Sequence, residues 1–312
     1  MNAAVAQAVR TGLTGQPKRL PPWLFYDAAG SRLFERITRL PEYYPTRTER
    51  ALLQAHAEAL VEAAGPVETL VEFGSGSSRK TRILIEALLR RGGTLTYVPI
   101  DVSGSALAQA RRTLETRFPG LQVSPMLGTY EDSLDQLQGL PPRRLVLFLG
   151  SSLGNFDPPE AGALLGRIRS ALDEEDALLV GLDLRKGPEV LLPAYDDAQG
   201  VTAQFNLNLL GRLNRELGAR FDLATFRHRA LWNASASRVE MHLESLISQE
   251  VAIPALDLLT GFRAGERVHT ENSYKFRRGQ IRHLLQGSGW RPHRQWVDPR
   301  GWFSLNLARR QV

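Results

Sequence analysis

The sequence predicts an α/β fold: an open, mostly parallel sheet with helices on both faces, interrupted by a long insertion and finished by an antiparallel strand. Three observations lead there. Strand-like and helix-like segments alternate from Pro66 to about Arg185, the pattern of a parallel sheet wound by crossover helices. The alternation lapses over residues 186–276, where Phe and Asn are scattered between short hydrophobic segments. It resumes after Ser273 and ends on two strands separated by Asp298-Pro299-Arg300-Gly301, a turn that pairs them as an antiparallel hairpin.

Each element has its own signal. Residues 67–73 read as a buried first strand, and 79–91 as a helix with Ile83, Ile85, Leu88 and Leu89 apolar, stopped by Gly92-Gly93. Residues 94–100 form the second strand, 103–118 a helix, 121–127 a weaker third strand and 144–149 a strong fourth. Pro158-Pro159-Glu160 opens a helix to about Leu172, since prolines are tolerated in a first turn. Residues 177–182 are the fifth strand; after the insertion come a helix over 274–285, the stop Gly287-Ser288-Gly289, a strand near 295–297 and a last strand over 302–308.

At 312 residues the chain exceeds the usual size of a single core. Residues 48–185 with 277–312 are therefore expected to form one domain. Residues 1–47 with 186–276 are expected to form a second, inserted between the fifth and sixth strands, and clefts between domains are preferred ligand sites. Hydrophobic residues at 43% and charged residues at 23% are ordinary globular composition. The absence of cysteine excludes disulfides, thiolate metal sites and cysteine nucleophiles. No apolar run approaches the ~20 residues that span a bilayer, so a soluble cytoplasmic monomer is expected. The net charge of +6 comes from arginines spread as singles and pairs, not from a patch, which argues against nucleic acid as partner. The six histidines show no paired ligand spacing, so no metal is expected.

The chemistry-bearing segments sit where strands end, the ligand side of an open parallel sheet. Gly74-Ser75-Gly76 closes the first strand with glycines that permit close backbone approach, although a plain tight turn would look the same. Asp101 ends the second strand, where an acid can accept hydrogen bonds from two ribose hydroxyls; the competing role is a helix cap shared with Ser103. Turn and acid together point to an adenosyl cofactor. The third glycine of a dinucleotide fingerprint is missing, with Ser77 and Arg79 in that region, and no Walker loop is present. Residues 149–156 follow the fourth strand, and there Asn155 is either a ligand contact or the cap of the Pro158 helix. Asp183 ends the fifth strand and is expected to pair with a neighbouring arginine.

Several longer blocks carry a resemblance. They are Phe25-Tyr26-Asp27, the run from Leu40-Pro41-Glu42-Tyr43-Tyr44-Pro45 to Glu49, Phe73 to Thr81, Tyr97 to Ser103, and Leu149 to Phe156. Ala194-Tyr195-Asp196-Asp197, Phe205 to Leu210 and Thr270-Glu271-Asn272-Ser273-Tyr274-Lys275-Phe276 continue the series. In this order and over nearly the whole chain, they resemble the ergothioneine-pathway histidine Nα-methyltransferases. The resemblance implies a class I, Rossmann-like methyltransferase sheet and a substrate-binding second domain. It implies S-adenosylmethionine contacts at Tyr26, Gly74, Lys80, Asp101 and the loop after the third strand. That loop departs from the family's acid-aromatic pair: here it reads Thr129-Tyr130, with Glu131 as a substitute acid. For the acceptor it implies Asn155 and Tyr195 at the amino acid's carboxylate, Tyr43 near its amine, and Glu271 with Ser273 at the imidazole.

The expected activity is therefore three successive methyl transfers from S-adenosylmethionine to the α-amine of L-histidine, giving hercynine. Tyr43 is the candidate catalytic residue, as a proton relay or a positioning group. Two other readings stay open: N-methylation of another aromatic amino acid, and a non-catalytic adenosyl- or RNA-binding module.

Overall fold

The structure is a computed structural model and describes residues 3–311, the side chain of Glu131 excepted. The chain divides into two compact units. One combines the residues up to Tyr44 with Gly187–Ser273; the other combines Pro45–Lys186 with the residues from Tyr274 onward.

The second unit holds the large sheet. Its main strands are β1 (Thr69–Phe73), β2 (Leu95–Asp101), β3 (Leu121–Val123), β4 (Arg144–Phe148), β5 (Ala177–Asp183), β6 (Trp290–Val297) and β7 (Phe303–Arg310), in the spatial order β3-β2-β1-β4-β5-β7-β6. The pairs from β3 to β5 are parallel, and β7 pairs antiparallel with both β5 and β6. The alternation of side chains along each strand builds a core on each face. Leu70, Leu145 and Leu147 join Leu53, Leu60 and Val61 on one face, whereas Val71, Val146 and Phe148 join Leu165, Ile168 and Ile281 on the other.

Three boundaries differ from expectation. The single strand expected over 121–127 is two pieces, β3 and Met126–Leu127, both on β2; Pro125 between them has no N–H for the ladder. The helix expected from Tyr274 runs over Arg278–Gly287, because the strand Arg267–Tyr274 carries on through that tyrosine. The sixth strand starts at Trp290, earlier than its pattern suggests, and its buried indole donates to the Leu165 carbonyl at 2.9 Å.

The first unit is irregular in sequence but ordered. Its three-stranded sheet runs Arg267–Tyr274, Arg238–Ser245, Phe226–Asn233, and a separate hairpin pairs Gln249–Ile253 with Leu258–Phe262. The helix Val201–Leu217 buries Phe205, Asn206, Leu209, Leu210 and Leu213. Its first turn donates the N–H groups of Val201 and Thr202 to the Asp197 carboxylate at 3.0 and 2.7 Å. Asp27 caps the helix Ala28–Ile37 by accepting from Gly30 N–H at 2.7 Å and also accepts from Asn208 Nδ2 at 2.9 Å. Among the described residues, no helix is long and apolar enough to cross a membrane.

Candidate active site

In the sheet unit, the turn after β1 is fixed from two sides. Gly74 and Gly76 have φ of +67° and +51°, a region that glycine enters without strain. A Cβ on Gly74 would lie 2.8 Å from the Tyr130 hydroxyl, whereas one on Gly76 would meet nothing within 4 Å. Tyr130 reaches there from an aromatic nest, with ring centroids 5.6 Å from Phe73, 5.1 Å from Phe148 and 5.9 Å from Phe156. Thr129 caps the helix Tyr130–Leu137: Asp132 N–H donates to its Oγ1 at 3.3 Å, and its own N–H donates to the Asp132 carboxylate at 3.1 Å. The Glu131 side chain lies outside the described residues.

Asp101 closes the other side of this turn. Its two oxygens accept from Gly76 N–H and Ser103 N–H, each at 2.8 Å. Burial pushes its carboxyl up, against the pull of those donors. A carboxylate has about four lone-pair sites, and backbone donors at Gly76, Ser103 and Val102 leave it acceptor capacity for a ribose hydroxyl, beside the open space left by Gly76. The turn and the acid thus fit an adenosyl group.

The same unit buries two acids, Glu49 and Glu72, that sequence reasoning missed. Lys80 pairs with the fully buried Glu49, whose two oxygens both accept from Gly150 N–H at 2.9 Å. Glu72, in β1, accepts from Thr81 Oγ1 at 2.6 Å and from the Tyr97 hydroxyl, which also bonds Ser78 Oγ at 2.8 Å. Burial pushes the Glu72 carboxyl up to about 7, although these donors and Lys80 favour its charge. An acid inside the apolar run Val71-Glu72-Phe73 was the available signal.

Asp183, at the end of β5, is paired with two lysines, where an arginine was expected. Lys186 Nζ lies 2.6 Å away and Lys275 Nζ 2.8 Å away, all three side chains being buried. A compact ammonium on a flexible stem can reach a carboxylate in so small a space, where a planar guanidinium needs more room. Burial pushes the Asp183 carboxyl up, but Lys275 and Lys186 outweigh it and hold it below its usual range. Burial lowers Lys186 itself to about 8.

After β4, Asn155 ends the short helical turn Ser152–Asn155. It does not cap the helix Pro158–Ser170; Asp157 occupies that position, with its N–H donated to Glu160 at 3.1 Å. The prolines set the helix start three residues beyond Asn155 and leave the cap to Asp157.

The remaining expected residues belong to the other unit. Tyr195 Oη and Ser273 Oγ, far apart in sequence, hydrogen-bond at 2.7 Å. The Tyr43 ring lies edge-on to Tyr195 with centroids 6.4 Å apart. Glu271 and Ser273, two apart on one strand, share a face and are both buried. Tyr26 packs edge-on against Phe34 and Phe205 at 5.7 and 5.8 Å. His228, also missed, is buried between Asn206 Nδ2 and the Tyr195 carbonyl, each 2.8 Å from a ring nitrogen.

Comparison with known proteins identifies the family. Residues 5–310 match the family described as histidine-specific methyltransferase, SAM-dependent. The histidine N-alpha-methyltransferase of Mycolicibacterium smegmatis is 45% identical over 98% of this chain and 94% of its own length. Ergothioneine biosynthesis protein 1 of Neurospora crassa is 29% identical over 90% of this chain and 32% of its own length. Among solved structures, the PH0226 protein of Pyrococcus horikoshii OT3 is alike in fold, with a TM-score of 0.50 at 13% identity over 89% of this chain and 98% of that one. The mixed sheet with its antiparallel final strands is the class I, Rossmann-like α/β fold of methyltransferases. The chain belongs to the histidine-specific, S-adenosylmethionine-dependent methyltransferase family.

Proposed function

We propose that this enzyme methylates the α-amine of L-histidine three times, giving hercynine, as the first step toward ergothioneine. The observation that carries the acceptor assignment is the 2.7 Å hydrogen bond between Tyr195 and Ser273, which gathers two expected acceptor groups in the unit of Tyr43 and Glu271. That unit is then the substrate-binding domain. Glu271 and Ser273 take the two imidazole nitrogens, Tyr195 and Asn155 take the carboxylate, and Tyr43 stands by the amine. The names of the mycobacterial and fungal relatives support the same acceptor and pathway. Many arginines are tied to carboxylates, as in Arg144 with Asp173 and Asp176, and Arg227, Arg229 and Arg267 around Glu244. That usage favours a small-molecule acceptor over a polyanion.

When bound, S-adenosylmethionine supplies an electrophilic methyl group on a sulfonium. The protein's part is to hold a neutral amine in line with it, since alignment alone can account for much of such a rate. Gly74, Lys80, Asp101, Tyr26, Thr129 and Tyr130 are the donor-side residues, and Lys80 acts through its pair with Glu49. Tyr43 orients the amine through its hydroxyl; a phenol is a poor base near neutral pH, so water takes the proton. Mass spectrometry of products from S-adenosylmethionine with each of the twenty amino acids tests the reading. Histidine gaining three methyl groups is expected. Methylation of tryptophan or tyrosine instead would move the acceptor, and silence across the panel would refute the activity.

A further inference from the structure

Tyr195 follows the short turn Leu192–Ala194 in a connecting segment, and a loop residue that aims a hydroxyl needs its own backbone held. Its N–H donates to the Leu192 carbonyl at 2.9 Å, and its carbonyl faces Nε2 of His228 at 2.8 Å. His228 lies on the strand Phe226–Asn233 and is 8% exposed. Its Nδ1 is 2.8 Å from Asn206 Nδ2, and that same amide nitrogen reaches the His242 carbonyl at 3.0 Å.

These partners decide the state of the ring. A carbonyl only accepts, so Nε2 carries the hydrogen; an amide NH2 only donates, so Nδ1 carries the lone pair. Turning the Asn206 amide over would offer an acceptor to Nδ1 but would set oxygen against the His242 carbonyl. Burial disfavours the charged ring, while the Tyr195 carbonyl and the Asp196 and Asp197 carboxylates favour it. The nearer of these, Asp196, stands 4.0 Å from Nε2 and is itself 57% exposed, so water screens it.

We propose that His228 is a positioning residue of the acceptor site: a neutral imidazole, locked by Asn206, that fixes the Tyr195 backbone so that the Tyr195 hydroxyl meets Ser273. The inference rests on the acceptor assignment above. It makes Asn206, His228 and Tyr195 a single chain of hydrogen bonds ending at the substrate, so their effects are not additive.

Two measurements test it. Long-range nitrogen–proton correlation spectra of the whole protein at neutral pH should show His228 protonated at Nε2 and bare at Nδ1; the other tautomer or an imidazolium overturns the inference. Kinetically, His228→Phe should raise the KM for histidine about tenfold, the scale of one lost buried hydrogen bond, with affinity for S-adenosylhomocysteine unchanged. His228→Gln, which keeps an amide nitrogen for the Tyr195 carbonyl, should recover most of that loss. In a Tyr195→Phe background, His228→Phe should add less than about twofold. Equal losses for both ligands, or a full tenfold cost in that background, overturn the positioning role. If His228→Phe does not fold, the spectrum and the Gln variant decide. Absence of histidine methylation by the unaltered enzyme would refute the proposed function, whereas normal turnover with an unchanged KM in His228→Phe would refute this inference alone.

Discussion

Around their candidate site residues the two units hold polar groups by different means. The sheet unit buries ionised or ionisable side chains, with Glu49 on Lys80, Asp183 between Lys186 and Lys275, and Glu72 bonded to Tyr97 and Thr81. The other unit places hydroxyl, amide and imidazole groups around Tyr195 and Ser273, with the buried Glu271 on the same strand. Buried charges are costly to uncouple and fix backbone firmly. Single hydrogen bonds between uncharged groups are cheaper to disturb. On the proposed assignment, the difference teaches that the sheet unit's donor-side residues rest on buried ion pairs nearby, while Tyr195 and Ser273 on the acceptor side are tuned by single hydrogen bonds.

The sharpest way to break this comparison is to uncouple one buried charge. Lys275→Met should destabilise the protein by about 3–5 kcal/mol, because Asp183 loses a fully buried partner; denaturant titration of both forms measures it. A loss below about 1 kcal/mol would mean that the pair is not holding β5 to Lys275. Next comes Glu72, whose carboxyl rises from 4.5 in the unfolded chain to about 7 in the fold. A raised acid binds more protons in the native state, so its contribution is complete below pH ~4.5 and is lost as pH rises to ~7, by roughly 3 kcal/mol. Glu72→Gln should remove that sloping portion of the stability–pH curve; an unchanged slope would show that Glu72 is not protonated in the fold.

Effects on the acceptor side should be smaller and confined to one ligand. Glu271→Ala should weaken histidine by about 1.5–3 kcal/mol, the range for a charge-assisted hydrogen bond, as read from KM. Equal activity of the variant would remove the imidazole assignment. Ser273→Ala should weaken histidine by about 1 kcal/mol, the scale of one neutral hydrogen bond, as read from KM, with affinity for S-adenosylhomocysteine unchanged; an unchanged KM would remove Ser273 from the acceptor assignment.

Much of the sheet unit was legible because its signals are local. Val71 and Phe73 alternate with Leu70 onto opposite faces, Gly74 and Gly76 sit in the one turn that needs them, and Asp298-Pro299-Arg300-Gly301 announces the hairpin. What escaped was partnership at a distance. Nothing near Glu49 in sequence points to Lys80 or Gly150, and the expected arginine beside Asp183 proved to be Lys186 and Lys275. The proposed acceptor residues Tyr43, Tyr195, Glu271 and Ser273 came from resemblance, because their placement depends on strands and loops that no short-range pattern encodes. His228 escaped for the same reason, since its roles come from Asn206 on a helix and a carbonyl in a loop.

The most direct test of a charge-held donor side and a hydrogen-bonded acceptor side is calorimetric titration of Tyr195→Phe. With S-adenosylhomocysteine saturating, histidine should bind about tenfold more weakly than to the unaltered enzyme, while S-adenosylhomocysteine itself binds with the same affinity as before. An equal loss of affinity for both ligands would contradict the division of roles, and no loss for either would remove Tyr195 from the acceptor site.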